Sequence, residues 1–126
     1  MAVIRNWVPP DMETPKRASR SKAHTELCGN IGQYLTSVGA WHVRLAGGIY
    51  QRSGLPDIMG FMVHPVHGVP VAFFIEVKTG SGRLKQNQKD IRDELIQCGG
   101  WYIEAHSLDD VHNQFFKWNL VSFFLS

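Results

Sequence analysis

The stretch VAFFIEVK (residues 71–78) decides how the chain folds. It is an almost unbroken apolar run that ends in Glu76 and Lys78. Such a run is typical of a strand that is covered on both faces, so we predict that it forms the central strand of a sheet. Because residues two apart on a strand point to the same face, the side chains of Glu76 and Lys78 are expected to lie side by side.

Further elements are predicted on both sides of this strand. The turn residues HPVHG (64–68) connect it to an earlier apolar run, which predicts an antiparallel hairpin. Elsewhere, apolar spacings of three and four predict helices, and alternation predicts strands. The predicted elements are a helix over 22–38, strands over 41–45, 58–63 and 71–77, a helix over 86–98 with Ile91, Leu95 and Ile96 facing inward, a strand over 101–105 and a short helix capped by Ser107. Ser21 is the predicted cap of the first helix, whose predicted apolar stripe is Ala23, Leu27, Ile31, Tyr34, Leu35 and Val38. This order predicts an α/β protein.

The composition predicts one globular domain. The chain has 126 residues, of which 44% are hydrophobic and 11% aromatic, and this is enough to form a core. We find no apolar run of about 18 residues, which a membrane-spanning helix needs, and no secretory signal. Cys28 and Cys98 lie far apart in predicted helices, so we interpret them as small buried residues of a reduced, cytoplasmic protein.

The formal net charge is only +2, but the basic residues are unevenly distributed. Prolines and basic side chains in residues 1–21 predict an extended N-terminal arm ahead of a single domain over 22–126. A second basic cluster follows the central strand. Both groups are candidates for contacts with nucleic-acid phosphates, and a solubilising tail and a solvated helix face are the alternatives. The residues are Lys16, Arg17 and Arg20 in the arm, and Arg83, Lys85, Lys89 and Arg92 in the cluster.

The candidate chemistry lies at one end of the predicted hairpin. Asp57 directly precedes the strand over 58–63, and in an antiparallel pair the start of one strand meets the end of its neighbour. We therefore expect Asp57 to lie beside Glu76. Two carboxylates and the Lys78 ammonium are costly to desolvate unless something offsets their charge, and a divalent cation such as Mg²⁺ would do so. A salt bridge at a strand end is the alternative interpretation.

The same residues carry a resemblance to a known family. Pro56-Asp57 followed by Glu76-Val77-Lys78 resembles the signature of the PD-(D/E)XK nuclease superfamily. Longer stretches are similar to the VRR-NUC family of virus-type replication and repair nucleases, and to its small stand-alone phage members. One departure is that Lys85 and Gln86 stand where the family commonly has serine and proline. The resemblance spans roughly residues 22–115 and rests on GLPD (54–57), FIEVKTG (74–80), GRL (82–84), Gln88, GGWYI (99–103) and SLDDV (107–111).

The resemblance implies a fold and a metal site. The fold is a restriction-endonuclease-like core, with a central mixed sheet of about four strands flanked by helices. The metal is Mg²⁺ or Mn²⁺, held directly by Asp57, by Glu76 and by the backbone carbonyl of Val77. The resemblance also implies that Lys78 is the catalytic lysine.

Two helical residues complete the site that the resemblance implies. The family has a glutamate on its first helix, and Glu26 is taken to occupy that place, reaching the metal directly or through water. Gln88, on the second helix, is taken to orient the substrate or a metal-bound water. From the sequence alone, both side chains are ordinary surface residues of their helices.

We therefore predict a metal-dependent endonuclease that hydrolyses DNA phosphodiester bonds. By resemblance, it is a homodimer that resolves four-way (Holliday) junctions, and the apolar tail LVSFFL (120–125) is a candidate dimer surface or a last part of the core. The alternatives are a structure-specific nuclease for flaps or nicks, a restriction-like endonuclease, and a non-catalytic nucleic-acid-binding module.

Other chemically suggestive residues are interpreted as structural. A zinc site is disfavoured at the HxxH pattern, because no further Cys or His is placed to complete a tetrahedron. Most tryptophans are expected in the core, whereas the one in the basic arm is a candidate for stacking on bases. The residues concerned are His64 and His67 in the turn, Trp41, Trp101 and Trp118 in the core, and Trp7 in the arm.

Overall fold

A computed structural model describes residues 21–45 and 52–122. The elements, in chain order, are α1 (Lys22–Ser37), β1 (Trp41–Arg44), β2 (Ile58–Val63), β3 (Pro70–Val77), α2 (Gln86–Gln97), β4 (Trp101–Ala105) and α3 (Leu108–Lys117). Every predicted element is present, and the predicted α/β class is confirmed. The predicted arm, apart from Ser21, and the last part of the apolar tail lie outside the described residues. In the segments that are described, no helix is long and apolar enough to cross a membrane.

The four strands form one mixed sheet in the order β1-β2-β3-β4. The pairs β1–β2 and β2–β3 are antiparallel, whereas β3 and β4 are parallel and are connected through α2. The predicted hairpin is present, with Ile58 paired to Ile75 at one end and Val63 paired to Pro70 beside the turn. As the unbroken apolar run predicts, β3 is a central strand with neighbours on both sides.

The core lies between the sheet, α1 and α3. Apolar side chains of β3 alternate toward these helices, and the ring of Phe73 meets the ring of Phe115 edge-on at 5.2 Å. Leu120 and Val121, in the predicted apolar tail, are also buried in this core, so these two residues do not offer a surface to a second copy. The remaining buried members are Cys28, Ile31, Leu35, Ala40, Ile58, Val71, Ile75, Val77, Ile103, Ala105 and Val111.

Side-chain caps set the starts of two helices. Ser21 accepts a hydrogen bond from the backbone N–H of His24, and Ser107 accepts one from the N–H of Asp110. The Asp110 carboxylate in turn accepts from the N–H of His106. These bonds satisfy amides that a helix start leaves without partners, as the sequence predicts for both serines.

The structure corrects several burial predictions. Ile96 is exposed because it lies five residues after the buried Ile91, which is about 140° around the helix. Cys98 is exposed because it is the C-terminal cap of α2, outside the buried stripe. Trp41 is 58% exposed because it lies on the edge strand β1, where its ring packs on that of Phe61.

The turn of the hairpin depends on a buried histidine. His64 is almost fully buried, and its Nδ1 accepts hydrogen bonds from the backbone N–H groups of Val66 and His67. Its Nε2 lies 2.9 Å from the backbone carbonyl oxygen of Trp118. Both ring nitrogens are therefore used to fix the turn and the end of α3, which agrees with interpreting the HxxH pattern as structural. The half-buried Trp101 packs on Trp118 nearby.

Gly60, in the middle of β2, has no room for a side chain. A Cβ at this position would collide with the ring of Phe73 and lie 2.6 Å from the carbonyl oxygen of Trp41. We expect Gly60→Ala to lower the free energy of unfolding by about 3 kcal/mol, measured by urea denaturation. Gly29→Ala, on an open part of α1, is the control, and we expect it to raise stability by up to about 1 kcal/mol. Equal stability of Gly60→Ala and the wild type would contradict this account.

Candidate active site

The pairing of β2 with β3 brings two carboxylates together. Ile58 pairs with Ile75, so Asp57 lies opposite Glu76 at the end of the hairpin. The Oδ2 atom of Asp57 accepts a hydrogen bond of 2.8 Å from the backbone N–H of Val77. Both carboxylate residues are buried, at 3% and 4% exposed. The burial of two neighbouring acidic side chains is the central feature of this site.

The loop before Asp57 is held by a close backbone contact. Gly54 has φ +91°, a conformation that favours glycine, and a Cβ there would lie 2.5 Å from the carbonyl oxygen of Asn87. The side chain of Asn87 also donates a hydrogen bond to Ser53. The start of α2 therefore packs against the loop that carries Asp57, and this fixes the helix relative to the carboxylates.

Gln88, on the first turn of α2, connects the polar groups of the site. Its Nε2 donates to Glu76 Oε1 over 3.1 Å, and its Oε1 lies 2.9 Å from the Lys78 Nζ that donates to it. The same Oε1 accepts from the backbone N–H of Lys85, which caps the helix. The Nζ of Lys78 lies 3.5 Å from Glu76 Oε1. Gln88 thereby holds both the lysine and the glutamate in place.

The pKa of Glu76 is raised from its ordinary value of 4.5 to about 7, and burial is the largest cause. The negative charge of Asp57 contributes to the rise, and the positive charge of Lys78 opposes it. The Oε2 atom of Glu76 is buried and has no hydrogen-bond partner within residues 21–45 and 52–122. A buried carboxylate oxygen to which no protein group donates is unusual, and an ion or an ordered water is the kind of partner that such an atom takes.

The residues present fit a divalent cation. Asp57 and Glu76 offer carboxylate oxygens, one of which has no partner in the described structure, and their mutual repulsion would be relieved by positive charge. Glu76 lines a cavity of about 310 Å³ together with Val77, Lys78 and Gln88. The arrangement can hold a cation against a phosphate, with an ammonium group beside it.

The structure does not bring Glu26 to this cluster. Its side chain is 62% exposed, and its carboxylate lies 3.9 Å from the ammonium group of Lys22. The residue that α1 does bring to the site is His24, whose Nε2 lies 3.4 Å from Asp57 Oδ2. Positions 24 and 26 differ by about 200° around the helix, so they face opposite sides.

The helical spacing of the buried residues in α1 points to His24, although the predicted apolar stripe does not include this residue. Cys28, Ile31 and Leu35 are the buried residues of α1, and His24 precedes them at helical spacing. A histidine that begins a buried stripe is a candidate for contact with the core or with a site at its edge. Ala23, which the predicted stripe includes instead, is exposed.

A second groove adjoins the site and carries part of the basic cluster. It has a volume of about 510 Å³, and Arg83, Lys89 and Arg92 line it. Lys85 lies in the first cavity, and Gly82 is shared by both. The basic cluster thus extends from the carboxylates along the start of α2. The basic residues predicted in the arm, Lys16, Arg17 and Arg20, lie outside the described part of the chain.

The raised pKa of Glu76 predicts how stability depends on pH in the metal-free protein. The folded state binds this proton more tightly than the unfolded state, so the free energy of unfolding falls as pH rises from about 4.5 to about 7. Glu76→Gln removes this dependence. We expect its stability advantage over the wild type to grow across that window to on the order of 3 kcal/mol.

Urea denaturation in EDTA at about pH 5 and about pH 8 measures this difference. Glu104→Gln is the control for loss of a carboxylate at the paired position of the neighbouring strand. If Glu76→Gln and the wild type differ equally at both pH values, the buried carboxylate does not titrate as described.

Comparison with known proteins shows the family of the chain and agrees with its fold. The sequence profile of the family described as "VRR-NUC domain" matches residues 3–109, which is most of the chain. A solved structure described as "VRR_NUC domain" has a TM-score of 0.60 at 18% sequence identity, covering 77% of this chain and 97% of its own. No curated protein matches significantly. The chain belongs to the VRR-NUC family, a family of nuclease type.

Proposed function

We propose that the chain is a metal-dependent endonuclease that hydrolyses DNA phosphodiester bonds. The observation that carries this proposal is the pair of buried carboxylates, Asp57 and Glu76, with one oxygen that lacks a partner in the described structure. In the alternative interpretation, an ion pair at a strand end would satisfy its carboxylates without a ligand. Here the Lys78 ammonium is instead shared between Glu76 and Gln88. A nuclease-type family makes DNA the expected substrate.

The residues of the site take distinct roles in this proposal. Asp57, Glu76 and the backbone carbonyl of Val77 would hold Mg²⁺ or Mn²⁺, and when bound the cation activates water and shields the scissile phosphate. Lys78 places a positive charge where negative charge develops on the phosphate. Gln88 is a positioning residue that holds Lys78 and Glu76. Glu26 stays a prediction of the family resemblance, with contact through water, because its side chain is largely exposed.

The basic groove suits a phosphate backbone. Arg83, Lys89 and Arg92 line it together with the acidic Glu104, and it adjoins the cavity of Glu76 at Gly82. Contacts of basic side chains with phosphates position DNA without reading its sequence. We therefore propose recognition of a DNA structure rather than of a base sequence. The structure we favour is the four-way junction.

A homodimer is part of the proposal because each chain offers one site. Symmetric cutting of two strands of a junction needs two sites related by a two-fold axis. Leu120 and Val121 belong to the core, so they do not supply this interface. We propose a cytoplasmic place of action, where DNA and free divalent cations are available to a protein with reduced cysteines.

A cleavage assay tests the proposed activity. We expect the purified protein to cut a four-way junction by paired symmetric nicks in Mg²⁺ or Mn²⁺ and to be inactive in EDTA. Asp57→Asn keeps an acceptor for the Val77 amide but loses the charge, so we expect the rate to fall at least about 100-fold. Asp109→Asn, an acidic residue in the first turn of α3, is the matched control and should retain the wild-type rate.

The same assay separates the alternatives. Linear duplex, flap and single-stranded substrates are run beside the junction. Metal-dependent cutting of flaps or plain duplex would retain the site and replace the substrate. Binding without cleavage in any metal would identify a nucleic-acid-binding module and contradict the proposed activity.

The groove makes a separate prediction about DNA binding. Arg83→Gln and Lys89→Gln should each weaken binding to all DNA structures and reduce the slope of log affinity against log salt by about 1. Fluorescence anisotropy with the Asp57→Asn protein measures this without cleavage. Lys117→Gln, outside the groove, is the control. An unchanged salt slope in both groove variants would show that DNA does not follow this groove.

A further inference from the structure

His24 is the residue of this site that the family resemblance does not assign. Its side chain is only 12% exposed, and it lines the same cavity as Glu76, Val77 and Lys78. Its Nε2 lies 3.4 Å from Asp57 Oδ2. Ligand atoms lie roughly 2.0–2.2 Å from a small divalent ion, so two atoms 3.4 Å apart are at the spacing of neighbouring ligands on one ion.

A buried cysteine also lies beside the imidazole of His24. The Nδ1 atom of His24 lies 3.7 Å from the Sγ of the buried Cys28, one helical turn further along α1. The Nε2 atom lies 4.0 Å from the same sulfur, so Cys28 lies close to both ring nitrogens. The tautomer with its proton on Nδ1 is the one that offers the lone pair of Nε2 to a cation beside Asp57.

Together, His24, Cys28 and Asp57 form a cluster whose possible ligand atoms all lie within 4.8 Å of one another. All three are engaged by neighbouring groups, so a cation would bind a site that is already held in shape. The cluster joins the two carboxylates through Asp57. Its nitrogen and sulfur atoms distinguish it from a site built of oxygen alone.

We propose that His24 Nε2 is a direct ligand of the cation at Asp57, and that it makes the site select Mn²⁺ or a similar transition-metal ion over Mg²⁺. This inference rests on the proposed function, which places a cation between the carboxylates. Mg²⁺ prefers hard oxygen ligands, whereas imidazole nitrogen binds first-row transition metals well. One nitrogen donor in the first coordination sphere therefore shifts the preference without removing either carboxylate.

Metal binding to the protein without DNA tests the inference. Titration of Mn²⁺, followed by the loss of the free-ion EPR signal, gives its affinity, and competition with Mg²⁺ gives the selectivity. We expect the wild type to prefer Mn²⁺, and His24→Ala to lose roughly tenfold or more of its Mn²⁺ affinity. His24→Glu supplies an oxygen ligand from the same position and should lower the ratio of Mn²⁺ to Mg²⁺ affinity by a similar factor.

Pulsed EPR of the Mn²⁺-loaded protein reports direct ligation. We expect a nitrogen coupling from the imidazole in the wild type and its absence in His24→Glu. His42→Gln, outside the cavity, is the control, since its ring meets Thr36 and should affect neither measurement. Circular dichroism and thermal unfolding establish that each variant is folded. If His24→Ala does not fold, His24→Glu still provides the test.

The outcomes separate this inference from the proposed function. If the wild type binds no cation, or if Asp57→Asn binds as well as the wild type, the proposed metal site fails. If Asp57→Asn abolishes binding while both His24 variants keep the wild-type selectivity, only the role of His24 is overturned. A nitrogen coupling that persists in His24→Glu would also overturn it.

Discussion

The hydrogen bond from the Val77 amide to Asp57 is the interaction on which the site depends. It closes the end of the hairpin opposite the turn, and it is possible only in the register that pairs Ile58 with Ile75. A shift of one residue would turn Glu76 to the other face of β3 and move every core residue of that strand with it. The same alternation that buries Phe73 therefore also directs the acidic side chain into the cavity, so the fold and the site are specified together.

The site is held at a cost in stability that the surrounding fold offsets. Two buried carboxylates repel each other, and burial raises the pKa of Glu76 to about 7. Lys78 and Gln88 offset part of this through an ion pair and hydrogen bonds. The remaining cost in stability is offset by the apolar core, which packs β3 between its neighbours and against two helices. A bound cation would remove most of the repulsion, so binding and stability are coupled at this one place.

Most of the fold follows from local patterns in the sequence, whereas parts of the site do not. Apolar runs, alternation and turn residues predict the strands, and the serine caps predict two helix starts, because these are short-range effects. The two carboxylates become neighbours through the register of the hairpin, which is also a local feature and can be predicted from the sequence.

The identity of the α1 residue at the site depends on how the helix is rotated against the sheet, which periodicity fixes only to within a residue or two. Periodicity therefore selects neither residue; the resemblance assigns Glu26, whereas the structure places His24 beside Asp57. The prediction of a buried Trp41 is wrong for a related reason, since an aromatic residue on an edge strand is covered only on the side where a helix packs.

The short helix α2 links the candidate active site to the groove that carries basic side chains. Its first turn carries Gln88 into the site, its backbone supports the loop before Asp57, and its exposed side presents Lys89 and Arg92 to the groove. A displacement of this helix would therefore alter the carboxylates, the lysine and the groove at once. DNA that binds along the groove would contact α2, the helix that positions Lys78 and Glu76. Gln88 contacts both residues from the first turn of that helix, so in the proposed enzyme the position of bound DNA and the alignment of the site would be coupled. Such coupling would let the proposed enzyme distinguish DNA structures without reading a base.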